Sequence, residues 1–443
     1  MKQATKKIFS IGCIVISLLF FAAFLSLVEG SGVSSVATVT VGGSPFGVAI
    51  TPDGKYAYIA NNLENVSVID TATNKVVATV ATEKGTGIVI TPDGKYAYVT
   101  NWEGVSVIST ATNTVVDTIA VGDPSNGNSP NGGIAITYDG KYVYLTMPDS
   151  VAVINTETNT VTANITITPK NSNANVNGVT LFSYSDPIAV AVSPDDAYAY
   201  VGTGAGDSRV ILLDTSTNKI VNSITIGSDG IEDIAVTPDG KYVYATDVDG
   251  NISVIDTATF TVDTTLTGFG APVGLAITSD GKYAYVVNGF NATVSVLNTA
   301  TKVVDGTVSV GQSPRGLAFT PDGKYAYVIC DTSTDFANSP GANYAGTVSV
   351  INTGTNPAPT DSSIPTTTVP TASSSPAVPE FPSLLFIIPL IVSLFAVAAM
   401  LRHKKKPSQE SLTKYWELVS QRMLINAHIS FKRSNYKLER WMV

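Results

Sequence analysis

The chain has 443 residues, a formal net charge of −9 at pH 7, 44% hydrophobic residues and only 14% charged ones. Its two histidines, His403 and His428, both fall near the C-terminus, so residues 1–402 offer no imidazole to a metal, a general base or a nucleophilic triad, which excludes the enzyme classes that depend on one. Residues 31–360 carry 29 Asp/Glu against 13 Lys/Arg, about −16, a balance that repels nucleic acid because phosphate neutralisation dominates such binding.

Lys2, Lys6 and Lys7 precede an apolar run over residues 8–28, the pattern of a secretory signal peptide occupying residues 1–30. The length of the run and the lack of an Ala-x-Ala site leave a retained signal anchor open as well. Cys13 would leave with such a leader, and Cys330 alone cannot form a disulfide within the mature chain. Residues 36–41, Val-Ala-Thr-Val-Thr-Val, then read as a strand.

From there a Thr/Ser-x-Asp-(Gly)-Lys-Tyr-x-Tyr element returns seven times, at Thr51, Thr91, Thr137, Ser193, Thr237, Thr278 and Thr320, with Asp196 and Ala197 in place of Gly and Lys in the fourth copy, spaced by 40, 46, 56, 44, 41 and 42 residues. That period is the length of one four-stranded propeller blade, and the apolar periodicity of a helical repeat is missing. In the first full unit residues 47–51 read as strand A, 55–61 as strand B, 66–70 as strand C and 76–81 as strand D, joined by Asp-Gly and Thr/Asn turns. The seventh unit supplies strands A, B and C and then enters a Thr/Pro-rich tract without a D strand. Residues 36–41 resemble the D strands of other units, so the expected fold is an all-β, seven-bladed β-propeller over residues 31–354, closed by its N-terminal strand.

Residues 355–379 are rich in Thr, Ser and Pro, the composition of an extended stalk. Residues 383–401 form an uncharged apolar run, about 28 Å long as a helix, followed at once by Arg402, His403, Lys404, Lys405 and Lys406. Residues 380–406 thus read as a transmembrane span with a basic stop, oriented with the propeller outside. Residues 407–443 form a basic tail with Trp416 and Trp441, either a cytoplasmic amphipathic segment or an extended reading frame.

The Tyr-x-Tyr-Val-Thr-Asn form at residues 96–101 resembles the YVTN-type β-propeller repeat of archaeal cell-surface proteins, and the likeness covers residues 36–353. Pro379, Glu380 and Phe381, followed by the apolar span and basic cluster, are similar to a PEF-type C-terminal sorting signal. That resemblance implies cleavage by a membrane sortase and transfer to a lipid anchor, although the chain departs from the pattern in running on from Pro407 to Val443.

Carboxylates are the remaining acid-base groups, and most recur at equivalent turn positions: Asp53, Asp93, Asp139, Asp239, Asp280 and Asp322 between strands A and B, and Asp70, Asp214 and Asp256 after strand C. Fourteen of the nineteen tyrosines form the Tyr56/Tyr58 type of pair on strand B, which points to packing between blades. Three constellations fall outside the repeat. Residues 202–206, Gly-Thr-Gly-Ala-Gly, follow a strand but lead into another strand, which reads as a hairpin loop and not a phosphate-binding turn. Asp247 and Asp249 resemble the start of a calcium loop, but Ile252 and Ala258 stand where that loop needs Gly and Glu, so the alternative is a plain acidic hairpin. Glu232, Asp233 and Arg315 interrupt the Gly/apolar start of strand A and belong at the channel mouth, as a solvated rim or as a ligand site.

The longest insertions, residues 122–132, 168–187, 202–209 and 331–346, all fall on the face of the D–A and B–C connections, the side expected to carry recognition. Asn65, Asn164, Asn251 and Asn291 open Asn-x-Ser/Thr sequons and are candidate glycosylation sites. The sequence therefore points to a non-catalytic, surface-layer-like propeller at the extracellular face of the membrane, without cofactor, anchored at its C-terminus and binding a protein or glycan. The alternative is an extracellular hydrolase or lyase working through Glu232 and Asp233.

Overall fold

In the computed structural model the described residues are 33–354, apart from 64, 123–128, 168–173, 177–178, 182–185, 205–207, 228–229 and 332–344. The expected leader, stalk, membrane span and tail lie outside them. Among the described residues no helix is long and apolar enough to cross a membrane. The chain divides into two units, Met1–Ser363 and Ile364–Val443, and everything below concerns the first.

Seven antiparallel four-stranded sheets follow one another along the chain. In blade 1 the strands are Pro45–Ile50, Tyr56–Asn61, Asn65–Asp70 and Lys75–Ala81, within two residues of the boundaries expected from the turns. Six blades are simple meanders, whereas the seventh joins Pro314–Phe319, Tyr325–Cys330 and Gly346–Asn352 to Ser34–Val41 from the other end of the chain. This closing pair runs from Ser34 opposite Asn352 to Val41 opposite Gly346, so the predicted closure is present and strand C of blade 7 is paired along its outer side as in the other blades. One element was not foreseen: a small hairpin, Ala174–Val176 with Val179–Leu181, inside the longest insertion.

Burial follows strand order. Strands B and C are covered on both faces, as in Ala57, Tyr58, Ile59 and Ala60, whereas strand D buries little more than one residue, as in Lys75–Ala81. The core therefore lies between blades. The cluster that seals the ring packs Ala57, Ile59 and Ile69 of blade 1 against Tyr327, Ile329, Val348 and Val350 of blade 7, with Val39 and Val41 of the closing strand.

Two polar devices repeat around the ring. In the A–B turn, Thr51 Oγ1 donates to Asp53 Oδ1 at 2.7 Å and accepts the Tyr56 N–H at 3.0 Å, while Lys55 Nζ reaches Asp53 Oδ2 at 3.0 Å. The Thr51 hydroxyl is the main reason the Asp53 carboxyl falls to about 2. Gly54 holds φ 72° there, with the ring of Pro321 from the preceding blade 3.3 Å from where its Cβ would stand. Blade 4 alters this arrangement: Asp196 replaces the glycine at φ 59°, and its carboxylate accepts the N–H groups of Tyr138 and Asp139 at 2.6 and 2.8 Å. Tyr138 stands where most blades have proline, so the extra donor in one turn is met by an acceptor from the next.

The second device joins neighbouring blades through the inner tyrosine of the pair in blades 1, 2 and 7. Tyr58, Tyr98 and Tyr327 donate to Asn113, Asn159 and Asn74 of the next C–D turn at 2.5, 2.7 and 2.7 Å. Those asparagines adopt φ of 52–53°, which their short amide tolerates. The last bond crosses the ring closure, and the tyrosines act in blade packing as the repeat suggested.

Deleting residues 34–41 should expose the edge of Gly346–Asn352 and open the cluster around Val39 and Val41. We expect a lower melting temperature and aggregation on size-exclusion chromatography. An unchanged monomer with unchanged melting would show that this strand does not close the ring.

Candidate functional site

Strand A lines the central channel, and its second and third residues set the mouth. The third position is Gly47, Gly87, Gly133, Ala189, Asp233, Gly274 and Gly316 around the ring. The reason for small residues is backbone crowding: a Cβ on Gly274 would stand 2.3 Å from the carbonyl oxygen of Arg315, and one on Gly87 would meet that of Gly132.

Asp233 therefore sits in a slot made for almost no side chain. Its Oδ2 accepts the Leu275 N–H on strand A of blade 6 at 2.8 Å, and its Oδ1 accepts the Ile234 N–H at 2.8 Å. Protein surrounds the carboxyl, although part of the residue still faces the channel lumen. Burial pushes it up to about 7, against the pull of the two N–H bonds, and the neighbouring Glu232 adds to the rise. Asp233 is thus committed to joining two blades.

Glu232 is half-buried beside it, and burial raises its carboxyl while the charge of Arg315 opposes the rise. Arg315 lays its guanidinium over the Phe46 ring, 4.5 Å from the centroid, and brings Nη2 to 3.5 Å from Asp331 Oδ2. The Asp331 side chain is only 5% exposed and also accepts the Ser44 hydroxyl at 3.2 Å. The Nε of Arg315 is buried without an acceptor. The structure thus places all three predicted residues at one end of the channel and separates their roles, since Glu232 and Arg315 line the mouth while Asp233 braces the wall. Ser44, Phe46 and Asp331 were missed; the available signal was that each lies at the end of strand A or B nearest the insertions.

Asp247 is 3% exposed at the end of strand B in blade 5, and its carboxylate accepts the Asn251 N–H at 2.9 Å and the Asn251 amide at 3.1 and 3.2 Å. The acidic hairpin thus closes on itself, with Asp249 exposed at its tip. Among the described residues no three His, Cys, Asp or Glu side chains gather as a metal site would need. Gly202 and Thr203 end the strand Tyr198–Thr203, and the next element is the strand Arg209–Asp214, as a hairpin requires.

The four sequons differ in access. Asn164 and Asn291 are exposed, whereas Asn65 accepts the Asn61 amide at 2.7 Å and Asn251 is half-buried against Asp247. On the opposite face, grooves of about 470 and 440 Å³ lie between blades 1 and 2 and between blades 2 and 3. Turn residues such as Asp53, Asp93 and Asp139 wall them, and they follow from the repeat.

A closed ring of seven blades around a channel with one charged mouth defines the molecule as a seven-bladed β-propeller. Residues 2–326 match the YNCE-like beta-propeller family, and the chain belongs to it. No curated protein matches the chain. Among solved structures, Kuenenia stuttgartiensis hydrazine synthase is similar in fold, with a TM-score of 0.58 at 24% identity over 70% of this chain and 95% of that one.

The raised Asp233 carboxyl makes stability depend on pH in a defined direction. The folded state holds this proton up to about 7 and the unfolded chain only to 3.8, so folding is favoured at the acidic end and loses that advantage as pH rises from 4 to 7. The loss should be about 2 to 4 kcal/mol, because each tenfold gain in proton affinity on folding is worth about 1.4 kcal/mol and lumen water reduces the total. Asp233→Ala, which copies the residue found in blade 4, should flatten that slope in urea unfolding between pH 4 and 8. A slope identical to wild type would refute the assignment.

Proposed function

We propose that this is a non-catalytic extracellular propeller that binds a protein or glycan through its insertion-bearing face, in adhesion, recognition or envelope structure. The supporting observation is the division of labour between the two faces. Glu232, Arg315 and the insertions share one face, whereas strand C of blade 7 ends at Asn352 on the other, and the closing strand begins there at Ser34 opposite it. The described chain thus ends, at Gly354, on the short-turn face. A leader over residues 1–30, a stalk over 355–379 and an apolar span with a basic stop over 380–406 fit a surface protein held by its C-terminus. The YVTN-type repeat and the PEF-like signal support an archaeal envelope setting with either a retained span or a lipid anchor. Glycans on such a protein would fall on exposed Asn164 and Asn291 before Asn65 and Asn251, an order that mass spectrometry of the native chain checks.

The second reading, a hydrolase or lyase, draws on the raised carboxyl of half-buried Glu232 beside Arg315. Against it stands the engagement of Asp233 with two backbone N–H groups, which removes the obvious partner carboxylate. Turnover of a glycoside or ester panel that disappears in Glu232→Gln would overturn the non-catalytic reading.

The direct test presents the full-length chain to an array of cell-surface glycans and envelope proteins. Short hairpins grafted over residues 168–185 and 332–344 should abolish the captured partner while leaving thermal melting in place. Capture that survives both grafts would place recognition elsewhere.

A further inference from the structure

The two faces differ in charge and in exposed apolar surface as well as in loop length. On the short-turn face six lysines are internally matched: Lys55, Lys95, Lys141, Lys241, Lys282 and Lys324 each lie 2.7 to 3.1 Å from the aspartate two residues earlier. On the insertion-bearing face, exposed or half-exposed Glu83, Glu103, Asp149, Asp186, Glu232 and Asp249 sit on the connections and strand ends. The described cations there are few. Lys84 is exposed, Arg315 is held against Phe46 and Asp331, and Arg209 turns its guanidinium to Ser223 at 3.1 Å. Burial and Asp149 together raise the Asp186 carboxyl, so like charges already crowd one another.

The same face exposes apolar side chains at the tips of its short B–C turns. Leu63 is 42% exposed, Trp102 60%, Val248 40% and Phe290 88%, in blades 1, 2, 5 and 6. Turn tips need no apolar residue for folding, and in blade 3 the corresponding Met147 is buried. Apolar tips around an acidic centre are the makings of an interface in which aromatic anchors supply affinity and charge supplies orientation.

We propose that this face docks a protein partner presenting Lys and Arg around apolar side chains, an inference that rests on the face being the recognition surface. Anionic lipid and nucleic acid are repelled by the same carboxylates. A neutral glycan would leave the excess negative charge uncompensated. Most lysines of the described residues are already matched to aspartates, so a second copy would bring few free cations to this face.

The test uses the full-length chain and a fluorescent amphipathic Lys/Leu peptide, with a Glu/Leu peptide as its counterpart, read by anisotropy. Saturable binding of the Lys/Leu peptide is expected, weakening as salt rises from about 50 to about 300 mM. Trp102→Ser with Phe290→Ser, or Glu103→Lys with Asp249→Lys, should each lower affinity about tenfold. Val77→Ser with Val116→Ser, on exposed outer strands, should not. Equal binding to the Trp102/Phe290 variant, equal binding of the Glu/Leu peptide, or binding to phosphatidylglycerol vesicles would overturn the proposal. A glycan captured through this same face, without peptide binding, would overturn the basic partner and leave the recognition face standing. An array partner indifferent to these substitutions and to the loop grafts would overturn both.

Discussion

A four-stranded blade has two apolar faces and cannot cover either by itself, so each must borrow its neighbour's. Tyr58, Val66 and Val68 of blade 1 pack on Ile88, Ala97 and Val99 of blade 2, and the same relation runs round to blade 7 and back to blade 1. A ring of this kind holds only when every interface is present. The pairing of Ser34–Val41 with Gly346–Asn352 completes blade 7 and carries Val39 and Val41 into its interface with blade 1, the contact that shuts the ring. Because its two strands come from opposite ends of the described chain, it joins segments separated by the whole domain, a contact of high loop-closure cost.

Close packing also decides where chemistry can stand. Inner strands approach so tightly that glycine fills most third positions, and a carboxylate in that slot is forced against the neighbouring backbone. Asp233 turns the constraint into a bond by accepting the Leu275 N–H, whereas Glu232, one residue earlier, escapes the slot and reaches the mouth. Adjacent acidic residues thus do different work because side chains alternate along a strand.

The two ends of the ring divide regularity from variation. Thr, Asp, Gly and Lys saturate one another's hydrogen bonds in the A–B turns and leave that face nearly uniform. The other face holds the long connections, the excess of carboxylates and the exposed Trp102 and Phe290. A rigid scaffold with one variable end is the usual ground for recognition.

The order of strands, the seven-fold count, the short-turn aspartates and the need for an N-terminal closing strand were legible in the sequence, because each is a local pattern repeated at a fixed period and a missing strand shows up in the count. The pairing of Tyr138 with Asp196, the splitting of Glu232 from Asp233, and the meeting of Ser44, Phe46, Arg315 and Asp331 were not. Their partners lie in different blades, tens to hundreds of residues apart, and no periodicity links them. What the chain alone determined was the unit and its number. What tertiary structure decided was which side chains of different units meet, since that depends on how closely neighbouring backbones approach across the ring.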